Sequence, residues 1–338
     1  MNAETVNKDL TSLLRARHTL LWLVSREEMR VERAVIDASA AAKFEVRLWD
    51  CSTGLSNSAG QRIGGENLND PSQVLGYIRN NKSRAVYVLR DLHKWLDPVV
   101  LRAVRSLARE LQTAPQNEAR AIVVLTPSGE VPPELSGATV IEYPLPDRAE
   151  VARILDMVID ALPADIRANA LPDAMRDRAI DSAVGLAAEE ISNCYARSLV
   201  TSRTIDPVLV SSEKRRVIAR EKVLTWHDPD PRGLDAVGGL DVLKTWLQAR
   251  RKAFTPAARA FGLPAPKGVM LCGLPGTGKS LTAKAVAAAW QMPLLRLDMG
   301  GLRSKYVGDS EANIRKALKV AEAVSPCILW INRNYASA

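Results

Sequence analysis

Short and nearly continuous apolar runs recur along the first 143 residues of the chain. They are TLLWLV (19–24), FEVRLW (44–49), AVYVLR (85–90), AIVVLT (121–126) and TVIEY (139–143). Runs of this length, rich in β-branched and aromatic residues, are typical of parallel strands that are buried on both faces. The pattern therefore predicts a parallel sheet in the first half of the chain.

Helical spacing fills the intervals between these runs. In the clearest case Asp97 and Pro98 form a helix start signal, and apolar residues then recur at helical intervals from Leu101 to Leu111. Strands that alternate with helices favour a doubly wound α/β fold. We therefore predict an α/β domain over residues 1–146.

The strand pattern stops near residue 147, and three helical segments follow. They are 147–162, 172–184 and 187–200, which predict a small helical bundle over 147–202. Residues 203–233 are polar, include a basic segment at 213–224 that predicts a helix, and end in the turn-rich HDPDPRG. We interpret 203–233 as a linker before a last domain over 234–338.

The last domain begins again with an alternating pattern. The predicted elements are a helix at 240–251, strands at 268–272 and 294–297, helices from 279 to about 290 and at 310–324 with Ser310 as its N-cap, and a strand at 327–331. A glycine-rich loop separates the strand at 268–272 from the helix that begins near Lys279. The order of elements predicts a second α/β module.

Composition excludes several classes of protein. With 47% hydrophobic and 25% charged residues the chain is typical of an ordinary globular protein, and no apolar run reaches the roughly 18 residues of a membrane span. The N-terminus has no secretory signal pattern, and the four dispersed cysteines suit a reducing compartment. We therefore expect a cytoplasmic protein with no membrane partner.

Charge and histidines add little to this picture. The net charge of +8 is spread along the chain, so it does not by itself indicate nucleic acid, and the basic segment at 213–224 is more typical of a solvated face. The three histidines lack metal-ligand spacing. We expect no metal site except one for Mg²⁺ that arrives with a nucleotide.

The strongest chemical signal is GLPGTGKS at 273–280, which fits the pattern G-x-x-x-x-G-K-[ST]. Glycines bring consecutive amide groups against phosphate oxygens, and the following helix directs its positive end at the same anion. The lysine ammonium contacts the β- and γ-phosphates, and the serine hydroxyl ligates Mg²⁺. The predicted nucleotide-binding residues are Gly273, Pro275, Gly276, Thr277, Gly278, Lys279, Ser280 and Leu281, with Ser280 as the magnesium ligand.

Three linked segments resemble the AAA+ ATPases. They are LDAVGGLDVLKTWL (234–247), PKGVMLCGLPGTGKS (266–280) and SKYVGDSEANIRKALKVAEAVSPCILWI (304–331), in that family's order and close to its spacing. The resemblance implies ATP and Mg²⁺ as cofactors, with Val237 and Gly238 against the adenine. It also implies that Tyr306, Val307 and Gly308 form a substrate-gripping pore loop if the protein forms a homo-oligomeric ring.

The first half also resembles an AAA+ module with its lid. VYVLRD (86–91) stands where a Walker B strand would be, but REEMRVE (26–32) stands where the phosphate loop would be. Two carboxylates at a phosphate site repel a nucleotide. We therefore predict two P-loop-NTPase-like parallel-sheet modules, the first degenerate with a helical lid bundle and the second truncated. This plan resembles the uncharacterised AAA-domain proteins encoded in plastid and cyanobacterial genomes.

The resemblance fails at the end of the strand CILWI. AAA+ proteins place Asp-Glu directly after this strand to hold Mg²⁺ and polarise the attacking water, whereas this chain has Asn332 and Arg333. An arginine guanidinium stays protonated and cannot act as a base. Because the change is abrupt, we favour a truncated or frame-shifted end over a pseudo-ATPase, and both readings stay open. The family's sensor residue, arginine finger and C-terminal lid are not in this sequence.

The sequence thus predicts an ATP-binding AAA+ ATPase whose intact relatives couple hydrolysis to remodelling of a macromolecular partner. No residue of this chain is assigned a catalytic role. The alternative is a non-hydrolysing nucleotide sensor or adaptor that binds an unknown protein partner, and a nucleic-acid-binding role is the less favoured third option.

Overall fold

A computed structural model gives the fold of residues 2–65, 68–127, 129–167, 169–220, 224–254, 258, 261–264, 266–274, 276–290, 292–298, 314–315, 317–318, 320–322, 324–325 and 327–332. Its helices are α1 (Ala3–Arg15), α2 (Glu28–Ala41), α3 (Pro71–Asn80), α4 (Pro98–Gln112), α5 (Arg148–Asp160), α6 (Ala164–Arg167), α7 (Arg176–Ala183), α8 (Ala188–Ser202), α9 (Pro207–Arg220), α10 (Asp241–Arg251) and α11 (Lys279–Trp290). Its strands are β1 (Leu20–Val24), β2 (Glu45–Asp50), β3 (Gly54–Asn57), β4 (Ala85–Arg90), β5 (Arg120–Thr126), β6 (Thr139–Glu142), β7 (Leu224–His227), β8 (Leu294–Asp298) and β9 (Ile328–Asn332).

The first six strands form one sheet in the order β3-β2-β4-β5-β1-β6. All pairs are parallel except β2 with β3, which is a short antiparallel edge that the sequence pattern did not indicate. Every residue of β5 is buried, as expected for a strand covered on both faces. The predicted α/β fold with a parallel sheet is confirmed.

Helices cover both faces of this sheet. One apolar core lies between the sheet and α1 and α2, and a second lies between the sheet and α3 and α4. The predicted start of α4 is also present, because the Asp97 carboxylate accepts hydrogen bonds at 2.8 Å from the amides of Val99 and Val100. The cap satisfies amides that the helix itself leaves without a partner.

The chain divides into two compact units. The first comprises Met1–Ile154 with Ala187–Ser192, and the second comprises Leu155–Leu186 with Asn193–Ala338. The domain limits predicted at residues 146, 202 and 233 stay predictions. Within the second unit α9 begins at Pro207, six residues before the predicted basic helix, and the chain then forms β7.

The second unit contains a sheet of three strands in the order β7-β8-β9. The pair β7–β8 is antiparallel and the pair β8–β9 is parallel, with Asp298 opposite Asn332. The order repeats that of β3-β2-β4 in the first unit, where the last two strands are also parallel. In this correspondence β9 takes the place of β4, and β8 takes the place of β2.

The predicted strand at 268–272 is wrong for this structure, because these residues form no strand. In the first unit the strand before the corresponding loop is β1, which pairs with β5 on one side and with β6 on the other. A strand exists only when neighbours satisfy its backbone groups. Within the described residues of the second unit, β9 pairs with β8 alone, and no strand lies where β5 lies in the first unit.

The predicted helix at 310–324 lies partly outside the described residues, and Ser310 lies outside them. Among the described ones, Ala317, Ala321 and Val324 are buried in one cluster with apolar residues of β7 and β8. Helical spacing in the sequence predicts an apolar face of Ile314, Ala317, Leu318 and Ala321. Ile314, Ala317 and Ala321 pack in this cluster, whereas Leu318 is exposed. The cluster covers one face of the three-stranded sheet.

Candidate functional site

The glycine-rich loop has the backbone that its sequence predicts. Gly276 and Gly278 have φ values of 84° and 82°, in a region that favours glycine. A Cβ atom at either position would meet nothing within 4 Å, so the outer side of the loop is open. A Cβ at Gly273 would instead lie 3.0 Å from the Thr277 hydroxyl. The loop therefore leaves room on one side for a ligand to approach its backbone.

The helix α11 begins at Lys279, directly after the loop. The first amides of a helix lack partners within it and carry its partial positive charge. The Gly278 carbonyl accepts bonds from the amide and the hydroxyl of Thr282 at 2.8 and 3.0 Å, so this carbonyl is turned into the helix. The first amides of α11 lack partners within the helix and can bind an anion, whereas the Thr277 amide of the loop donates to the Leu274 carbonyl at 3.4 Å.

The Lys279 ammonium lies over the loop itself. Its Nζ donates to the carbonyl oxygens of Gly273 at 2.7 Å and of Leu274 at 2.6 Å. The hydroxyl of Thr277 also donates to Leu274, at 2.9 Å. A phosphate group would take the ammonium away from two neutral carbonyls and give it an anionic partner, which is the stronger hydrogen bond.

Ser280 is exposed in the first turn of α11, beside Lys279. Its hydroxyl is thus at the phosphate end of the helix, where a serine of this motif ligates nucleotide-borne Mg²⁺. Pro275 lies outside the described residues. The pattern of open glycines, helix start, ammonium and hydroxyl fits a Mg-nucleotide.

Val237 is buried and belongs to an apolar cluster that includes Leu281 and Ala285 of α11. The structure therefore brings the predicted adenine-contacting segment to the helix that follows the glycine-rich loop. Gly238 is exposed beside Val237, with nothing near its Cα that would exclude a ligand. Tyr306, Val307 and Gly308 lie outside the described residues, so the pore loop stays a prediction.

The strand β9 ends at Asn332, in register with the end of β8. The predicted terminal strand is therefore present, and its last residue carries a neutral amide instead of a carboxylate. Arg333 lies outside the described residues. The carboxylate that would order a Mg²⁺ ion at the end of this strand is missing from the sequence at this position.

The corresponding edge of the first unit is filled by ion pairs. The Arg90 guanidinium at the end of β4 bonds both oxygens of Glu32 and lies 3.1 Å from the Asp50 carboxylate, while Glu28 lies 3.6 Å from its Nε. The hydrogen bond to Glu32 holds the pKa of Arg90 above its ordinary value. Sequence patterns do not reveal this cluster, because its members come from three separate elements.

The same edge repels anions. A cleft of about 210 Å³ there is lined by Glu28 and Asp91 together with Ser25, Arg26 and Thr126. Burial and then the neighbouring acids raise the pKa of Glu28, against the opposing effect of Arg90. An excess of carboxylates at this edge disfavours a nucleotide, which agrees with the prediction of a degenerate first module.

Several charged side chains of α9 have partners within the protein. Arg215 pairs with Asp228 at 2.6 Å and lies over the Trp226 ring, and Glu213 pairs with Arg197 at 2.9 Å. Lys214 is buried and donates to the Val184 carbonyl. The charged side chains of residues 213–215 therefore already have partners within the protein.

Two kinds of feature are absent from the described part of the chain. No group of three or more histidine, cysteine, aspartate or glutamate residues there is arranged to hold a metal ion. Across the same residues, no helix combines the length and the apolar character that crossing a membrane requires. The cytoplasmic location stays a prediction.

Family models match most of the chain in three consecutive segments. The N-terminal domain of SpoVK-like AAA ATPases matches residues 6–142, and the second domain of the same group matches 149–221. The model of the ATPase family associated with various cellular activities (AAA) matches 269–335. The chain belongs to the AAA family of ATPases. The α/β fold described above is consistent with this family, and the glycine-rich loop lies within the segment matched at 269–335.

Similar proteins include members from algal sources and from archaea. The uncharacterized AAA domain-containing protein ycf46 of Guillardia theta is 34% identical over 335 residues, and that of Trieres chinensis is 33% identical over 334 residues. Each alignment covers 96% of this chain, which spans 63% and 65% of the length of these relatives. The cell division cycle protein 48 homolog of Archaeoglobus fulgidus is 27% identical over 63% of this chain and 29% of its own length.

Proposed function

We propose that the chain binds Mg-ATP at the glycine-rich loop of its second unit. The observation that carries the proposal is the junction of the loop with α11, where open positive-φ glycines, a helix start and the Lys279 ammonium meet. Each of these features favours a polyphosphate. ATP is preferred over GTP because the resemblance to AAA+ proteins puts Val237 and Gly238 against an adenine.

Magnesium enters this proposal through Ser280. When bound, the ion would neutralise phosphate charge, and the exposed hydroxyl at the phosphate end of α11 would ligate it. The chain's own contribution is to bind and orient the phosphates with loop amides and with the ammonium. Asn332 supplies no carboxylate at the end of β9, so we expect the ion to be held mainly by the nucleotide and Ser280.

We further propose that this chain binds ATP without turning it over. Asn332 is a weaker partner than an aspartate for Mg²⁺ or its water shell, and the guanidinium of Arg333 cannot accept a proton from water. Two acids at these positions perform both tasks in the family that the sequence resembles. Hydrolysis coupled to remodelling of a macromolecule in a homo-oligomeric ring is accordingly proposed for the whole protein only, with Tyr306, Val307 and Gly308 as the pore loop.

A nucleotide-sensing or adaptor role is the second candidate, and Asn332 is the observation that favours it. In that role ATP acts as a ligand that stabilises one arrangement of the second unit, and a protein partner senses the arrangement. The first unit fits an adaptor because its own nucleotide edge is occupied by the Arg90 ion pairs. A nucleotide sensor requires ATP to bind, whereas an adaptor need not bind it at all, so binding is the first property to test.

Equilibrium titration with a fluorescent ATP analogue tests the proposal. We expect saturable, magnesium-dependent binding to the chain and none to the Lys279→Ala variant. Lys284→Ala is the matched control, because Lys284 lies on the same helix and outside the loop motif. Equal affinity of the Lys279→Ala variant and the unaltered chain contradicts the site assignment, and absence of binding to both contradicts the proposed function.

A further inference from the structure

Carboxylates satisfy two backbone amides at the start of α8. The Ala187 amide donates to the Glu190 carboxylate at 3.0 Å, which is a contact within the first turn. The Ala188 amide donates at 2.6 Å to Oε1 of Glu27, which lies 161 residues earlier in the chain. All of these residues belong to the first unit. The amides at a helix start carry its partial positive charge, so Glu27 stands where such a helix would take an anion.

The Glu27 carboxylate is fixed in this position by other contacts. Its Oε2 accepts a bond at 2.6 Å from Arg30, and its side chain is only 6% exposed. Arg30 in turn donates to the Glu150 carboxylate at 2.6 Å and to the Pro144 carbonyl at 2.7 Å, and it lies over the Tyr143 ring. The carboxylate is therefore buried and held before any ligand arrives.

The position of Glu27 in the first unit corresponds to that of the glycine-rich loop in the second unit. Glu27 lies in the short segment between β1 and α2, which corresponds to the glycine-rich loop before α11 in the second unit. In the second unit that segment offers amides and an ammonium to an anion. In the first unit the segment supplies its own anion, the Glu27 carboxylate. This carboxylate bonds the start of another helix, α8.

We propose that Glu27 is a built-in ligand of the first unit. Its carboxylate serves as the anion at the start of α8, so the contact between the β1–α2 segment and this helix persists without nucleotide. The acids that replace the phosphate loop are thereby a functional substitution, not random decay. The inference does not depend on ATP binding, because all its residues lie in the first unit and the glycine-rich loop lies in the second.

Chemical rescue followed by hydrogen exchange in the full chain tests the inference. In Glu27→Ala we expect the amides of the first turn of α8 to exchange about tenfold faster, because a charge-assisted hydrogen bond is lost. Sodium formate in the tens of millimolar supplies a small carboxylate and restores the protection, whereas sodium chloride at equal ionic strength does not. Glu189→Ala is the matched control, since Glu189 is an exposed acid of the same turn.

Each outcome decides the question. Unchanged exchange in Glu27→Ala overturns the inference, and so does faster exchange that formate leaves as it is, because a packing role alone gives that result. If Glu27→Ala also loses protection in β4 and β5, Glu27→Gln replaces it as the test. That variant keeps the shape and an acceptor oxygen, and we expect faster exchange confined to the start of α8; unchanged exchange there overturns the inference.

Discussion

Arg90 and Asp50 close the carboxyl edge of the first sheet, with the guanidinium Nη1 3.1 Å from the carboxylate Oδ2. They stand at the ends of β4 and β2, which are paired strands. Burial acts to raise the pKa of Asp50, but hydrogen bonds from Ser52 and Thr53 outweigh it and hold the pKa well below its ordinary value. Both groups of the pair are therefore charged at neutral pH.

Replacing Arg90 by Met removes the cation that pairs with Glu32 and Asp50. Glu32 and Asp50 have side chains only 12% and 20% exposed, so they lose their cationic partner at a place where contact with water is poor. We expect a loss of roughly 2–4 kcal/mol in the free energy of unfolding of the first unit. Thermal unfolding of the full chain, with hydrogen exchange in β4 to identify the transition, measures it.

Arg79→Met is the control for this prediction, because Arg79 pairs with Glu110 where both side chains are about half exposed. An exposed pair contributes at most about 1 kcal/mol. Equal effects of the two substitutions contradict the account of the Arg90 cluster.

Gly276→Ala tests the backbone of the glycine-rich loop. The positive φ of Gly276 costs an alanine roughly 1–2 kcal/mol, although the space beside its Cα is open. We expect an affinity for the ATP analogue about tenfold weaker. Gly268→Ala in the same segment is the control, since Gly268 has no positive φ and open space around it. A Gly276→Ala variant with unchanged affinity rules out the described loop conformation as the binding one.

We predict that the buried Lys214 side chain makes the free energy of unfolding of the second unit depend on pH. Burial lowers its pKa from 10.5 to about 8, so the unfolded chain binds this proton more tightly than the folded protein does. The free energy of unfolding then rises with pH between about 8 and 10.5. Below pH 8 the ammonium is charged in both states, and the cost of burying it is present in full.

Comparison with the Lys214→Met variant separates the contribution of Lys214 to the free energy of unfolding from that of the other titrating groups. We expect the stability of the unaltered chain relative to the variant to increase from pH 7.5 to 9.5, as measured by urea unfolding. A constant difference over this range shows that Lys214 does not have a lowered pKa.

The absence of turnover is a separate prediction. Because Asn332 and Arg333 replace the expected acids, we predict no phosphate release from Mg-ATP above the level of the Lys279→Ala variant, even when the binding site is saturated. Sustained release by the unaltered chain that disappears in Lys279→Ala contradicts the non-hydrolysing proposal. It leaves the binding site itself supported.

Local patterns were sufficient for much of this fold. The apolar runs predicted β1, β2, β4, β5 and β6 to within one residue at each end. Their patterns are strong because each strand is covered on both faces, so nearly every residue is apolar. Asp97 and Pro98 similarly fixed the start of α4, since a cap and its helix are neighbours in sequence.

Features that depend on distant partners were not predictable. GVMLC at 268–272 has the composition of a strand, yet it forms none, because strand formation depends on neighbours in a sheet. The Arg90 cluster and the contact of Glu27 with Ala188 join elements far apart in the chain. In contrast, the candidate site for ATP is a single continuous motif, and the spacing of GLPGTGKS was enough to find it.

The acids after β1 show what a local pattern leaves open. Carboxylates at the beginning of a helix are frequently favoured by its positive end, and Glu28 lies in the first turn of α2. Glu27 and Glu32 have more distant partners, because Glu32 bonds Arg90 and Glu27 bonds Arg30 and the Ala188 amide. The residue types indicated an anion-repelling edge, but only the structure shows which cations and amides they serve.

The central claim is that ATP binds in the second unit and not in the first. Hydrogen exchange of the full chain with and without saturating Mg-ATP tests it most directly, because both loops are followed in one experiment. We predict slower exchange at residues 273–282 and no change at residues 25–30. Protection at residues 25–30, or no protection at 273–282 when nucleotide is bound, contradicts the account.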